Sequence, residues 1–151
     1  MSISALPAWK WTSKRAREMG RREQREQIFK LLFRVEFNKK EEMPEQLQLF
    51  FEEADKPVSE EDRLYISDKY EKIMDKLSQI DELLNEKAQK WSTDRMGKVE
   101  LTILRLAVYE IRYDEDIPTS VAINEAVELA KKFGQKESGS FVNGILARFA
   151  E

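Results

Sequence analysis

The sequence predicts an all-α protein, and three observations support this prediction. Apolar residues recur at every third or fourth position over most of the chain, which is the period of an amphipathic helix. No run of alternating apolar and polar residues indicates a strand. Proline, glycine and capping residues divide the periodic segments from one another. With 151 residues, the chain is long enough for one domain with a buried core.

The composition excludes several classes of function. The chain has no Cys and no His, so zinc sites built on these residues, thiol nucleophiles and His-based catalysis are excluded. We therefore expect no catalytic residue, no metal site and no cofactor. The lack of disulfides is consistent with a reducing cytoplasm. No apolar run approaches the roughly 20 residues of a membrane span, and Met1 to Arg15 lack the apolar core of a secretory signal.

The first four helices follow from apolar stripes and stop signals. A broadly buried helix is expected from about Arg21 to Asn38, and Pro44 opens a short helix that Asp55-Lys56-Pro57 ends. Ser59 can cap the next helix. A coiled-coil-like seam then runs through two helices, which we expect to meet near a second cap at Ser78. The stripes are Ile28, Leu31, Leu32 and Val35; Phe29, Phe33 and Phe37; and Ile66, Tyr70, Ile73, Leu77, Ile80 and Leu84.

Three further helices are expected in the second half of the chain. Gly97 precedes a helix from Val99 to Tyr113 that is apolar on more than one face, so this helix should be central. Pro118 precedes the next helix, which Gly134 should end in the left-handed conformation, and Ser138 can cap the last helix. Phe141 lies one residue off the last stripe, which would place it at the edge of the core rather than inside it; from the sequence alone, we favour the interpretation that it simply packs. The two stripes are Ile123, Ala126, Val127, Ala130 and Phe133, and Val142, Ile145, Leu146 and Phe149.

Charge is distributed unevenly along the chain. Residues 1–25 carry a net charge of +5, so the rest of the chain carries −8 within an overall −3. A basic arm on an acidic body is typical of a local contact with nucleic acid, because Lys and Arg displace counterions from phosphates. The alternative is a solvated basic tail, which we favour for residues 1–18.

The first helix begins with an unusual group of arginines. Arg21 and Arg25 fall on the same side as Ile28 and Leu32, so we expect them to overhang the body beyond the core stripe. Positive charge at a helix N-terminus also opposes the helix dipole, at roughly 0.3–1 kcal/mol per exposed site. Such a group suggests a phosphate or carboxylate partner, since the guanidinium fork binds either. The alternative is an ordinary solvated first turn.

Three separated segments also form a recognisable pattern. They are Arg21-Arg22-x-x-Arg25 with a following Phe-x-x-Leu-Phe, then Gly97-Lys98-Val99-Glu100 with Leu104-Arg105-Leu106-Ala107-Val108-Tyr109-Glu110, and finally residues 121–144, which end in Ser138-Gly139-Ser140-Phe141-Val142-Asn143-Gly144. In this order and at this spacing, they resemble the NusB family of transcription antitermination factors. The resemblance covers about residues 19–150.

The resemblance implies a fold and a function. The fold would be a compact all-helical bundle of two subdomains with three to four helices each, here about 19–90 and 91–151, after a flexible extension over residues 1–18. The function would be to bind boxA-like single-stranded RNA together with the small ribosomal subunit protein NusE. Within the RNA polymerase antitermination complex, this activity would support elongation of ribosomal RNA transcripts.

The resemblance also assigns roles to residues. It implies RNA contact for Arg21, Arg22, Arg25, Lys98, Glu137 and Phe141. Arginines can hold phosphates, and a protruding Phe can stack on an unpaired base. For contact with the ribosomal protein it implies Phe33, Glu100 and Arg105. A charged residue on an otherwise buried helix needs a partner, which agrees with this second assignment.

Some features depart from the family pattern. Glu23 stands where relatives often have a basic residue, and the chain stops at Glu151 without the charged tail of some members. Residues 1–18 have no recognisable counterpart, whereas Met19-Gly20 resembles the usual start. RNA cytosine methyltransferases can carry a similar domain, but a Cys nucleophile and a Gly-rich cofactor loop are missing here.

A second function class stays open beside RNA binding. The protein could be a helical interaction or assembly module that uses the seam from Ile66 to Leu84. Some family members self-associate, and a homodimer could bury the arginine-rich surface.

Overall fold

The structure, a computed structural model, describes residues 18–150 and confirms the all-α prediction. Within this range there are seven α-helices, a few 3₁₀ turns and no strand. The predicted basic tail and extension lie almost entirely outside the described residues. The helices are α1 (Arg21–Phe33), α2 (Met43–Glu52), α3 (Glu60–Asp75), α4 (Leu77–Lys87), α5 (Lys98–Tyr113), α6 (Thr119–Phe133) and α7 (Ser138–Ala147).

The described part of the chain divides into two compact units, with the division between Tyr70 and Glu71. The division therefore falls inside α3, whereas the sequence placed a subdomain boundary near residue 90. The assignment of subdomains at residues 19–90 and 91–151 stays a prediction.

The first unit contains α1, α2 and most of α3. The core stripe of α1 is confirmed at Ile28, Leu31 and Leu32, which are almost fully buried. Its last member, Val35, lies beyond the end of α1 and is only half-buried. The second stripe is buried only at its start: Phe29 is buried, but Phe37 is 61% exposed. The reason is that α1 ends at Phe33 and continues only as a 3₁₀ turn, so the later positions leave the helical register.

The second unit is built around α5, as the sequence predicted. Nine of its residues are buried, from Leu101 to Glu110, and α4, α6 and α7 all pack against it. Gly97 and Pro118 precede α5 and α6 as expected. The four apolar residues of the last stripe, Val142, Ile145, Leu146 and Phe149, are buried.

Three local predictions about helix ends are wrong. Two helices do meet near Ser78, with the break between α3 and α4 at Lys76, but Ser78 lies inside α4 and does not cap it. Gly134 has φ −94° and ψ −165°, which is extended and not left-handed. Glycine is needed at this position because there is no room for a side chain: a Cβ would lie 2.5 Å from the Ser138 hydroxyl oxygen and 2.7 Å from the Ala130 carbonyl oxygen. That Ser138 hydroxyl accepts from the backbone N–H of Gln135 and so does not cap α7.

Other predicted signals act as expected. The hydroxyl of Ser59 accepts the backbone N–H of Asp62 at 3.1 Å, which caps α3. Pro44 lies in the first turn of α2, and the chain around Asp55 is not helical. Over residues 18–150, no helix is both long enough and apolar enough to cross a lipid bilayer.

Candidate nucleic-acid interface

The three arginines at the start of α1 are not equivalent. Arg21 and Arg22 are exposed, whereas Arg25 is only 8% exposed. The expectation that Arg25 overhangs the body is therefore wrong. Gln24 is equally buried, so the packed face of α1 begins one turn before its apolar stripe. Arg21 and Arg22 are the arginines of this group that offer surface to an outside molecule.

Asp62, at the start of α3, holds the beginning of α1 in place. The side chain is almost completely buried. One carboxylate oxygen accepts a hydrogen bond from Nε2 of Gln24 and the other accepts the backbone N–H of Met19, both at 2.9 Å. A single carboxylate thus fixes both Met19, two residues before the helix, and the fourth residue of the helix. Hydrogen bonds to a charged acceptor are among the stronger ones in proteins.

Arg21 extends this network to the surface. Its Nη1 donates to Oε1 of Gln24 at 3.2 Å, and its guanidinium lies over the ring of Tyr65, 4.5 Å from the centroid. Stacking on a ring leaves the edge of the guanidinium plane open, so N–H groups other than the one bonded to Gln24 can bind a ligand. The side chain is therefore oriented before a ligand arrives, which lowers the entropy lost on binding.

Phe33, predicted to contact a protein partner, is half-buried at the end of α1. Its ring lies 6.1 Å from that of Phe29 and 5.0 Å from that of Phe37, measured between centroids. Phe37 is the most exposed member of this row. Sequence reasoning placed Phe37 in the buried stripe and so missed it as a surface residue.

Glu100 and Arg105, the other predicted partner residues, both have partners within the second unit. The carboxylate of Glu100 accepts a short hydrogen bond from the hydroxyl of Ser138. The guanidinium of Arg105 binds both carboxylate oxygens of Asp81, at 2.9 and 2.8 Å. These charged residues of α5 therefore have the partners that the sequence argument required, and these partners belong to the same chain. Contact of these residues with a second protein stays a prediction.

The starts of α5 and α7 meet through the bond between Glu100 and Ser138. Lys98, the first residue of α5, and Glu137, the residue before α7, are both exposed beside it. Phe141 follows one turn into α7 and is half-buried. Three residues that were predicted to contact RNA are thus brought to one end of the second unit.

Phe141 packs against a residue that the sequence reasoning passed over. Its ring lies edge-to-face with the indole of Trp91, 5.6 Å between centroids and at 89°. Trp91 is 45% exposed. The edge position that the stripe indicated for Phe141 is confirmed. A sequence signal for Trp91 exists, since this large aromatic residue stands among basic residues such as Lys90 and Arg95.

Comparison with known proteins matches this helical arrangement to one family. The model of the NusB family matches residues 22–151. The chain belongs to the NusB family. Transcription antitermination protein NusB of Agathobacter rectalis is 54% identical over 132 residues, which cover 87% of this chain and all of that protein.

Solved structures of NusB proteins share the fold. T. maritima NusB superposes with a TM-score of 0.79 at 38% identity, over 88% of this chain and 92% of that one. The structure of the antitermination factors NusB and NusE in complex with dsRNA matches with a TM-score of 0.75 at 26% identity, over 85% and 94% of the two chains. These NusB structures confirm the fold that the resemblance implied.

Proposed function

We propose that this protein is an RNA-binding transcription antitermination factor that binds boxA-type RNA together with NusE. The observation that carries the proposal is its likeness, over most of both chains, to a NusB protein whose structure holds NusE and RNA. Within the RNA polymerase antitermination complex, the protein would support elongation of ribosomal RNA transcripts. In bacteria this takes place in the cytoplasm, which we propose as its location.

The first unit contributes phosphate contacts through the start of α1. Arg21 and Arg22 are exposed there, and Arg21 is already oriented by Gln24 and Tyr65. A guanidinium on a phosphate forms charge-assisted hydrogen bonds, and each such contact releases counterions from RNA. Arg25 contributes by supporting this turn from its buried position. Glu23 is exposed in the same turn and weakens the attraction for phosphate.

The second unit contributes Lys98, Glu137 and Phe141. The exposed ammonium of Lys98 suits a phosphate, while the carboxylate of Glu137 can accept hydrogen bonds from amino groups on base edges. The exposed part of Phe141 gives a ring on which an unpaired base can stack. These three residues act on single-stranded RNA, whose bases are accessible.

NusE binding is assigned to Phe33, with Glu100 and Arg105. Phe33 is half-buried beside the exposed Phe37, which supports an apolar contact with a partner. Glu100 and Arg105 are bonded to other residues of the chain, so we propose that they support NusE binding indirectly by fixing the surface of α5. We propose further that the protein acts by binding and not by catalysis, in keeping with a chain that has neither Cys nor His.

A titration of the full chain with boxA-like RNA and with a scrambled RNA, with and without NusE, tests the function. We expect tighter binding of the boxA-like RNA and a further gain when NusE is present. Arg22→Ala should weaken RNA binding and lower the salt slope by about one. Lys56→Ala, which removes an exposed lysine from a turn, serves as the control and should change neither. Equal affinity for both RNAs, unaffected by NusE, would refute the proposed function.

The alternative of an assembly module loses its main support. Its seam would have to be accessible to a second molecule, but five of its six residues are at most 3% exposed within the single chain, and the sixth, Leu77, is half-buried. The five are Ile66, Tyr70, Ile73, Ile80 and Leu84. The seam is a core feature, so it is not available for docking. A homodimer through the arginine-rich surface stays a prediction, which size-exclusion chromatography with and without RNA would test.

A further inference from the structure

The segment between α4 and α5 exposes a large aromatic side chain from a well-braced backbone. Trp91 is 45% exposed although its neighbours on both sides are hydrogen-bonded. The chain turns at Gln89, which has φ 52°, the single positive φ among residues 18–150. The backbone N–H of Thr93 then donates to Oδ1 of Asn85 at 2.8 Å, and Nη1 of Arg148 donates to the carbonyl oxygen of Lys87 at 2.6 Å. The exposure of Trp91 therefore comes from a fixed loop and not from a frayed one.

The loop and α7 together make a corner of two aromatic rings, which we call the aromatic corner, formed by Trp91 and Phe141. The rings are perpendicular, at 89° and 5.6 Å between centroids, so the edge of one meets the face of the other. A perpendicular pair is a stable arrangement by itself, and it holds both rings in place. Each wall of the corner keeps exposed aromatic surface, since Trp91 is exposed and Phe141 only half-buried. A flat aromatic ligand can lie on one ring and touch the other with its edge.

The segment that carries Trp91 has a net positive charge. Residues 87–98 carry four basic side chains and one acidic side chain, a net charge of +3 in a chain with −3 overall. Lys90, Arg95 and Lys98 are exposed. The acidic residue, Asp94, stays ionised, because a hydrogen bond from the side chain of Ser92 lowers the pKa of its carboxyl group. The complement of such a site is a flat aromatic group joined to negative charge, which describes an unstacked nucleotide.

We propose that the aromatic corner holds one unpaired base of the RNA, stacked on Trp91, while Lys90 and Arg95 contact the neighbouring phosphates. This inference rests on the proposed RNA-binding function and adds three residues to it. Stacking on an aromatic face tolerates any base, so the corner contributes affinity and position along the strand more than sequence preference. Phe141 then acts both as a wall of the corner and as the support that keeps the indole in place.

Fluorescence of Trp91 tests the stacking directly in the full chain. The sequence has two other tryptophans, Trp9 and Trp11, so Trp9→Phe and Trp11→Phe leave Trp91 as the one emitter. Titration with a boxA-like single-stranded RNA should quench and shift its emission. Inorganic polyphosphate at matched ionic strength carries the charge without bases and should have little effect. Equal quenching by both would overturn the inference, because charge alone would then explain the signal.

Affinity measurements separate stacking from a structural role. Trp91→Ala should weaken RNA binding about 5- to 150-fold, the loss expected for one base stack. Trp91→Phe should restore most of the affinity, since it keeps an aromatic face. Lys90→Gln and Arg95→Gln should each lower the salt slope by about one, with Lys56→Gln as the control. If Trp91→Ala binds RNA as well as the wild type does, the inference is wrong.

The outcomes also distinguish the inference from the function it rests on. RNA binding that depends on Arg22 but not on Trp91 would overturn the aromatic corner and leave the proposed function standing. Loss of NusE binding in Trp91→Ala, with RNA affinity unchanged, would make the corner a protein-docking site and would overturn the inference too. Absence of RNA binding by the wild type, with and without NusE, would refute both.

Discussion

Replacing Asp62 by Ala should destabilise the fold far more than replacing its neighbour Glu61. Both substitutions remove a negative charge from the first turn of α3, where such charges favour the helix by similar small amounts. Only Asp62 is buried and bonded to other groups, namely the backbone N–H of Met19 and the side chain of Gln24. The comparison therefore isolates the hydrogen bonds that hold the start of α1.

The magnitude follows from the two donors that would be left without this acceptor. An unsatisfied buried donor costs about 1–3 kcal/mol, so two of them give roughly 2–6 kcal/mol for Asp62→Ala. The exposed Glu61→Ala should cost at most about 1 kcal/mol. For a chain of this length, about 2–4 °C of melting temperature are lost per kcal/mol, which corresponds to a decrease of roughly 4–24 °C for Asp62→Ala.

Urea unfolding of both variants and of Gln24→Ala measures these costs. A double-mutant cycle with Gln24→Ala and Asp62→Ala should give a coupling of about 0.5–3 kcal/mol, because the two side chains share a hydrogen bond. RNA affinity should also fall in Asp62→Ala at temperatures where the protein stays folded, since Arg21 loses its support through Gln24. Equal stability of the Glu61→Ala and Asp62→Ala variants would refute the role of this network.

Three further predictions follow from the positions of other charged residues. Arg22→Ala should reduce RNA affinity with little change in stability, whereas Arg25→Ala should lower the melting temperature because Arg25 is buried. Thermal unfolding and RNA titration measure both effects, and similar behaviour of the two variants would contradict this prediction. Glu100→Lys should cost about 2–4 kcal/mol of stability, since it removes the acceptor of a hydrogen bond and places a positive charge in the first turn of α5. Urea unfolding measures this cost beside Glu100→Gln, and equal stability of the two variants would be evidence against the prediction. Arg105→Ala and Asp81→Ala should show a coupling of about 1–3 kcal/mol in a double-mutant cycle of unfolding, and additive effects would mean that their bidentate contact contributes nothing.

The sequence predicted the helices well because their signals are local. Pro44, Gly97 and Pro118 mark helix starts through the fixed φ of proline or the absence of a side chain, and the structure places α2, α5 and α6 there. The sequence also predicted the burial of α5, because a helix that is apolar on more than one face must pack against several other helices.

The helix ends that failed depend on contacts between distant residues. Gly134 avoids a clash with the side chain of Ser138 and the Ala130 carbonyl, and nothing in its own dipeptide indicates this. Ser138 was predicted to be a cap, but its hydroxyl faces Gln135 and Glu100, the latter on another helix. A polar residue near a helix end thus has several possible partners, and the tertiary fold selects among them.

The same limit applies to the candidate site, and it changes how the arginine motif should be understood. The helical period correctly places Arg25 on the side of α1 that faces the core. The expectation that a charged residue on this side extends beyond the core is the part that fails. The structure buries Arg25 and Gln24 instead, which extends the packed face of α1 toward its N-terminus. Arg21 and Arg22 then project from a turn that is anchored from below by Asp62. Since a rigid turn presents its guanidinium groups with less entropy to lose, the buried polar residues of this motif contribute to RNA affinity without touching RNA.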